Sequence, residues 1–215
     1  FVGAFLATFG SFFRRPGIGP TLAFLLLYRL GEAQLVKMTS PFLLDGREAG
    51  GLAISTLQVG YVYGTLGIAA LALGGIAGGW AVSRHGLKAW LWPMLLAINA
   101  PDLVYVYLAS AQPHDFLVVQ ACVAIEQFGY GFGFTAYLLY MMYAARGEHQ
   151  TAHYAICTGF MALGMMLPGM WSGWLQDHVG YPTFFWIVAA STLPGFVVAA
   201  FLPLEPEFGR RTDTA

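Results

Sequence analysis

Residues 116–144 read FLVVQACVAIEQFGYGFGFTAYLLYMMYA and hold one charged side chain, Glu126. Such a run exceeds the roughly 20 residues an α-helix needs to cross a bilayer core, and is far longer than the roughly ten of a barrel strand. It predicts a membrane-spanning helix, and the rest of the chain agrees. Of 215 residues 58% are hydrophobic and 10% charged, against about a quarter charged in a soluble domain. Too few polar side chains exist to cover a soluble surface, so lipid is the solvent. A net charge of -1 and a pI near 6.6 leave no basic face for nucleic acid.

Apolar runs bounded by Pro, Gly and charge predict six spans, at about 18–44, 56–82, 89–110, 116–144, 151–174 and 183–203. The bundle therefore occupies 18–204, between a lead-in at 1–17 and a tail at 205–215. The lead-in is too short to span by itself and reads as an interfacial segment or the end of a preceding helix. A first residue that is Phe rather than Met, with no basic leader before an apolar core, predicts the edge of a longer chain. Arg14, Arg15, Arg84, Lys88, Arg146, Arg210 and Arg211 fall on one side of the spans and Arg47 on the other. The positive-inside rule then places both ends in the cytoplasm. Pairs of glycines four apart (Gly60 and Gly64, Gly74 and Gly78, Gly75 and Gly79, Gly129 and Gly133) predict close helix packing.

Lipid excludes charge at a cost of about 2.5 to 3.5 kcal/mol per Asp, Lys or Arg at a helix centre, so intramembrane charges mark pairing or function. Arg29 and Glu32 are three apart, and on one continuous helix they form an ion pair on a face extended by Val36 and Ser40. In the fourth span, 100° per residue collects Glu126, Tyr130, Gly133, Tyr137 and Tyr140 within about 80°. This stripe of carboxylate and phenols suits a wet cavity for a polar, ring-bearing solute. Gln58, Tyr61 and Thr65 form a weaker polar face in the second span. Asn99, Pro101 and Asp102 break the third, where Asp102 reads as structural. Candidate proton-coupling residues are Glu126 and Glu32, and candidate solute contacts are Gln58, Tyr61, Tyr130 and Tyr137. Cys122 and Cys157 lie in apolar runs, and His153 with Cys157 lacks further ligands, so neither metal nor cofactor is expected. No nucleophile triad or paired-carboxylate constellation argues for an enzyme.

Three stretches carry a family resemblance: Tyr28-Arg29-Leu30-Gly31-Glu32-Ala33, the run Glu126 to Tyr137, and Gly173 to Tyr181. Together with Phe12-Phe13-Arg14-Arg15-Pro16 they resemble the second half of AmpG-type muropeptide permeases of the major facilitator superfamily. The loop Gly79 to Lys88 resembles that superfamily's cytoplasmic loop motif at Gly79, Arg84, Gly86 and Lys88. It departs at Ser83, where the family has an acidic residue, and at Leu87, where it has a basic one.

The resemblance implies an all-α membrane fold, the C-terminal six-helix half of a transporter built from two inverted three-helix repeats. The first helix of each repeat, carrying Glu32 and Glu126, would line the cavity. The implied activity is proton-coupled import of a muropeptide or sugar-like solute across a bacterial inner membrane, with an N-terminal six-helix half as partner. A peptide or acyl-CoA solute is an alternative, as is a scaffold or assembly subunit whose buried charges only lock helices together.

Overall fold

The computed structural model describes residues 2–211, with side chains from residue 7 onward. The described residues are helical and include no strand. The helices are α1 (Val2–Phe13), α2 (Ile18–Leu27), α3 (Leu30–Leu44), α4 (Thr56–Tyr61), α5 (Ile68–His85), α6 (Leu87–Asn99), α7 (Leu103–Ala111), α8 (Phe116–Ala145), α9 (Gln150–Ser191) and α10 (Leu193–Ala199). A π-helix, Val62–Gly67, joins α4 to α5, and a 3-10 turn, Ala100–Asp102, joins α6 to α7.

Thr56–His85, Leu87–Ala111, Phe116–Ala145 and Gln150–Ala199 are each long and apolar enough to cross a membrane. The last, at 50 residues, would be about 75 Å long if straight, more than twice the bilayer core. It turns instead at Gly180, whose φ of 74° breaks the helix at a backbone angle glycine takes without steric penalty. The connection between the fifth and sixth passes is therefore this single kink, and Leu175 to Val179, expected outside the spans, are helical. The first pass comprises α2 and α3, interrupted at Tyr28 and Arg29. Six passes result, and this is a multi-pass membrane protein.

The passes form two inverted three-helix units. Exchanging the units converts the contact of second with fourth pass into that of fifth with first, and both contacts are made through glycine. A Cβ on Gly74 would lie 2.1 Å from the Phe128 carbonyl oxygen, and one on Gly131 2.1 Å from that of Leu71. In the equivalent pair, Gly164 faces the Leu26 carbonyl at 3.0 Å and Gly169 faces that of Ala33 at 3.3 Å. Where lipid competes equally for apolar surface, such backbone approach is what holds helices together.

Buried side chains separate into two apolar clusters, one containing Phe24, Tyr28, Ile98 and Tyr137, the other Leu35, Phe42, Tyr105 and Val123. Between them, along the first, third and fourth passes, lie Arg29, Glu32, Asn99, Asp102 and Glu126, all buried. The molecule has a polar waist at mid-depth.

At the basic end, Arg15 donates to the carbonyls of Ala144 and Arg146, satisfying acceptors that the end of α8 leaves open. The segment after α10 folds back there as a strap. Glu205 accepts from Arg146 at 3.0 and 3.2 Å, and the Phe208 ring packs on Tyr143 at 5.0 Å. The Leu87 N–H donates to the Phe208 carbonyl at 2.8 Å and the Arg211 N–H to that of Ser83 at 2.7 Å. Gly86, with φ 82°, admits the Pro206 carbonyl where a Cβ would lie 2.5 Å away. Ser83 and Leu87, where the loop departs from its motif, are thus the positions where the strap docks, through backbone groups that no side chain specifies. Arg84 stacks on Trp80 at 4.5 Å. Phe208→Ala is expected to lower stability by about 1–2 kcal/mol, the value of a half-buried ring. Glu205→Gln is expected to cost less than about 1 kcal/mol, because the pair is exposed. Thermal unfolding in detergent checks both.

Candidate functional site

A cavity of about 250 Å³ opens at the polar waist, lined by Glu32, Val36, Thr39 and Ser40 from the first pass, Tyr63 from the second, and Glu126, Gln127 and Tyr130 from the fourth. The first helices of the two units supply most of this wall. Glu32 and Glu126 are only 1% and 2% exposed. Gln127 donates to both Glu126 oxygens at 3.2 and 2.9 Å, and the Tyr105 hydroxyl donates to Oε2 at 3.4 Å. Tyr105 is itself hydrogen-bonded to Tyr63. Glu32 Oε2 and both oxygens of Asp102 have no hydrogen-bond partner. Asp102 sits against the first turn of α3, its Oδ2 3.3 Å from where a Gly31 Cβ would be. A carboxylate sealed from water is expensive unless a proton, a cation or a cationic group neutralises it. The arrangement sets two buried carboxylates, Glu32 and Glu126, on one polar cavity.

The expected Arg29–Glu32 ion pair is not formed. Arg29 is the N-cap of α3, with φ -111° and ψ 25°, so the backbone break turns it off the face that carries Glu32, Val36 and Ser40. Its Nη2 donates to the Tyr130 hydroxyl at 2.5 Å, and the guanidinium lies 4.5 Å from the Phe134 ring centre and 5.2 Å from that of Tyr130.

Of the four residues expected to touch solute, the structure brings Tyr130 alone to this cavity. Tyr137 is fully buried and donates to the Leu25 carbonyl at 2.6 Å. It belongs to an aromatic plug with Phe24, Tyr28 and Tyr140, in which Phe24 lies 4.5 Å from Tyr140 and 5.7 Å from Tyr137. Gln58 forms a capping box with Ser55 at the start of α4, and lines a separate space with Arg47 and His114. Tyr61 is 50% exposed. His153 Nε2 meets the Ser11 hydroxyl at 2.9 Å, and Cys157 is a free buried thiol.

Spacing alone does not reach Tyr63, Tyr105 or Gln127. Tyr63 lies in the π-helix, which inserts a wider turn and rotates later residues away from the 100° arithmetic. A detectable signal for it was the glycine-rich stretch around Gly60, Gly64 and Gly67. Tyr105 follows the break at Pro101, and Gln127 adjoins Glu126 in sequence.

Apolar passes enclosing a polar mid-depth cavity, in two inverted three-helix units, define the class of multi-pass membrane proteins built from inverted repeats. The chain belongs to the Major Facilitator Superfamily, whose family model matches residues 1–215. It is similar to the anhydromuropeptide permease of Escherichia coli K12, 26% identical over 210 residues, covering 98% of this chain and 42% of that protein. A putative transporter, AmpG 2, of Rickettsia prowazekii is 25% identical over 201 residues, 93% of this chain and 47% of that protein. An uncharacterized protein of Haemophilus influenzae is 24% identical over 217 residues, 96% of this chain and 50% of its own length. The chain spans about half the length of the curated relatives it matches.

Proposed function

We propose that this chain forms one six-helix half of a secondary transporter that carries a polar organic solute inward with protons, by alternating access. The observation that carries the reading is the cavity where Glu32 and Glu126, on the first helices of the two units, face one space with Tyr130. Glu126 is the principal proton carrier and Glu32 the second, while Tyr130, Tyr63 and Gln127 bind the solute. An N-terminal six-helix half completes the pathway. The clustering of Arg15, Arg146 and the strap at one end supports placing both ends in the cytoplasm of a bacterium, with the bundle in its inner membrane. The relatives named for anhydromuropeptides point to such a wall fragment, or its sugar portion, as solute.

The test is uptake of a labelled anhydromuropeptide by the full-length transporter in proteoliposomes with an inside-alkaline gradient. Accumulation of at least tenfold, abolished by a protonophore, is expected. Uptake that ignores the gradient would overturn the coupling, and no uptake of any wall fragment would overturn the solute class.

A further inference from the structure

Lys37 is an exposed cation within the first pass, and the proton and solute contacts proposed above leave it without a task. It lies seven residues before the end of α3 at Leu44, about 10 Å inside that end at 1.5 Å per residue. Among the described residues its ammonium forms no hydrogen bond and no ion pair, and the two salt bridges found there, Arg146–Glu205 and Arg210–Glu207, belong to the basic end. The carboxylates nearest to it along the chain are otherwise placed: Glu32 faces the cavity from the buried side of α3, and Asp45 accepts from the Tyr181 hydroxyl at 2.6 Å.

Reaching out to the near surface does not explain this lysine. A helical side chain leans toward the N-terminus of its own helix, here the basic end, so the stem is directed away from Leu44. Its contact agrees, because Cγ and Cε each lie 3.0 Å from where a Cβ on Gly169 would be. Gly169 is eleven residues before the turn at Gly180, about 16 Å deep, and its missing side chain makes the room in which the stem lies. Val36 and Ser40 beside Lys37 are exposed, as are Met166 and Met170 beside Gly169. Val36 and Ser40 also line the cavity of Glu32 and Glu126, so this open face borders the solute space. A cation kept at that depth calls for a counter-charge, and this chain supplies none.

We infer that the open face of the first and fifth passes docks the N-terminal six-helix half, and that Lys37 receives an Asp or Glu carboxylate from it. The inference rests on the transport reading above and adds the chemistry by which the two halves meet. Three relatives match this chain over 42, 47 and 50% of their own length, so each carries about as much chain again to cover such a face. A protein carboxylate fits better than a lipid phosphate, because headgroups stay at the bilayer surface while the stem of Lys37 lies within the apolar depth.

The test is zero-length cross-linking of the native full-length transporter in its membrane. A membrane-permeant carbodiimide joins an amine to a carboxylate in contact with it, and mass spectrometry of the digest reads the link. Lys37 is expected in an amide link to an Asp or Glu of the N-terminal half. Lys37→Glu is expected to lower gradient-driven uptake at least tenfold, and exchanging the linked carboxylate for lysine in that variant to restore uptake to within threefold of native. A link from Lys37 to a carboxylate of this chain, a link to added solute, or no link would overturn the inference, and none of these needs a variant to fold. A folded double exchange that transports no better than Lys37→Glu alone would overturn it too. Absence of uptake by the native protein, with the link to the N-terminal half present, would overturn the transport reading and leave the docking standing.

Discussion

Replacing Gly131 by valine is expected to destabilise the bundle by about 3 kcal/mol or more, enough to abolish a folded yield. Its Cβ would lie 2.1 Å from the Leu71 carbonyl oxygen and 3.0 Å from the Gly75 nitrogen. Both are backbone atoms, so no rotamer change relieves the clash and the second and fourth passes must part. Their separation would also pull Tyr63 away from Tyr105 and Glu126, since the π-helix and α8 meet along the same seam. Gly79→Ala is the control, because nothing lies within 4 Å of its added Cβ. Its stability is expected to change by less than about 0.5 kcal/mol, as for an unconstrained surface site. Thermal unfolding and monodisperse yield in detergent distinguish the two.

Glu126→Gln is expected to lower gradient-driven accumulation by the full-length transporter at least tenfold, with a much smaller loss of solute exchange at equal pH. The substitution keeps the size of the side chain and its contact with Tyr105, but removes the group able to carry a proton. Glutamine at this position also leaves the Gln127 amide facing a carbonyl instead of a charge, so the cavity keeps its shape. Comparing uptake against an imposed pH gradient with counterflow at symmetric pH separates coupling from solute binding. Equal losses in both assays would assign Glu126 to solute contact and not to proton movement.

Much of this was legible from one dimension. Residues 116–144 announce a spanning helix, and α8 occupies Phe116–Ala145. The four-residue glycine spacing points to close packing, yet it does not tell which glycines are used. Gly74, Gly78, Gly129 and Gly133 are pressed on backbone, whereas Gly60, Gly64 and Gly79 have open space. Gly131, outside those pairs, makes one of the tightest contacts, because packing depends on which face a neighbour occupies and not on the spacing itself.

The stripe on the fourth span shows the same limit. Glu126 to Tyr140 do share a face, and that face does turn inward, but Phe24 and Tyr28 of the first pass fill its lower half. Only the upper part, at Glu126 and Tyr130, remains open. Arg29 and Glu32 fail to pair because a helix wheel assumes unbroken backbone, while the chain leaves helical geometry at Arg29.

The sequence by itself determined that the chain is an all-α membrane protein with six apolar passes, a basic end and charges concentrated near Arg29, Glu32, Asp102 and Glu126. Those features follow from solvent preference, which each residue carries locally. Tertiary structure alone decided that Glu32 and Glu126 share one cavity, that Tyr63 lines it while the buried Tyr105 holds Glu126, that Arg29 stacks on rings, and that the strap docks on Ser83 and Leu87. These depend on a π-turn, a broken first pass and helix crossings, which arise only when distant segments compete for the same space.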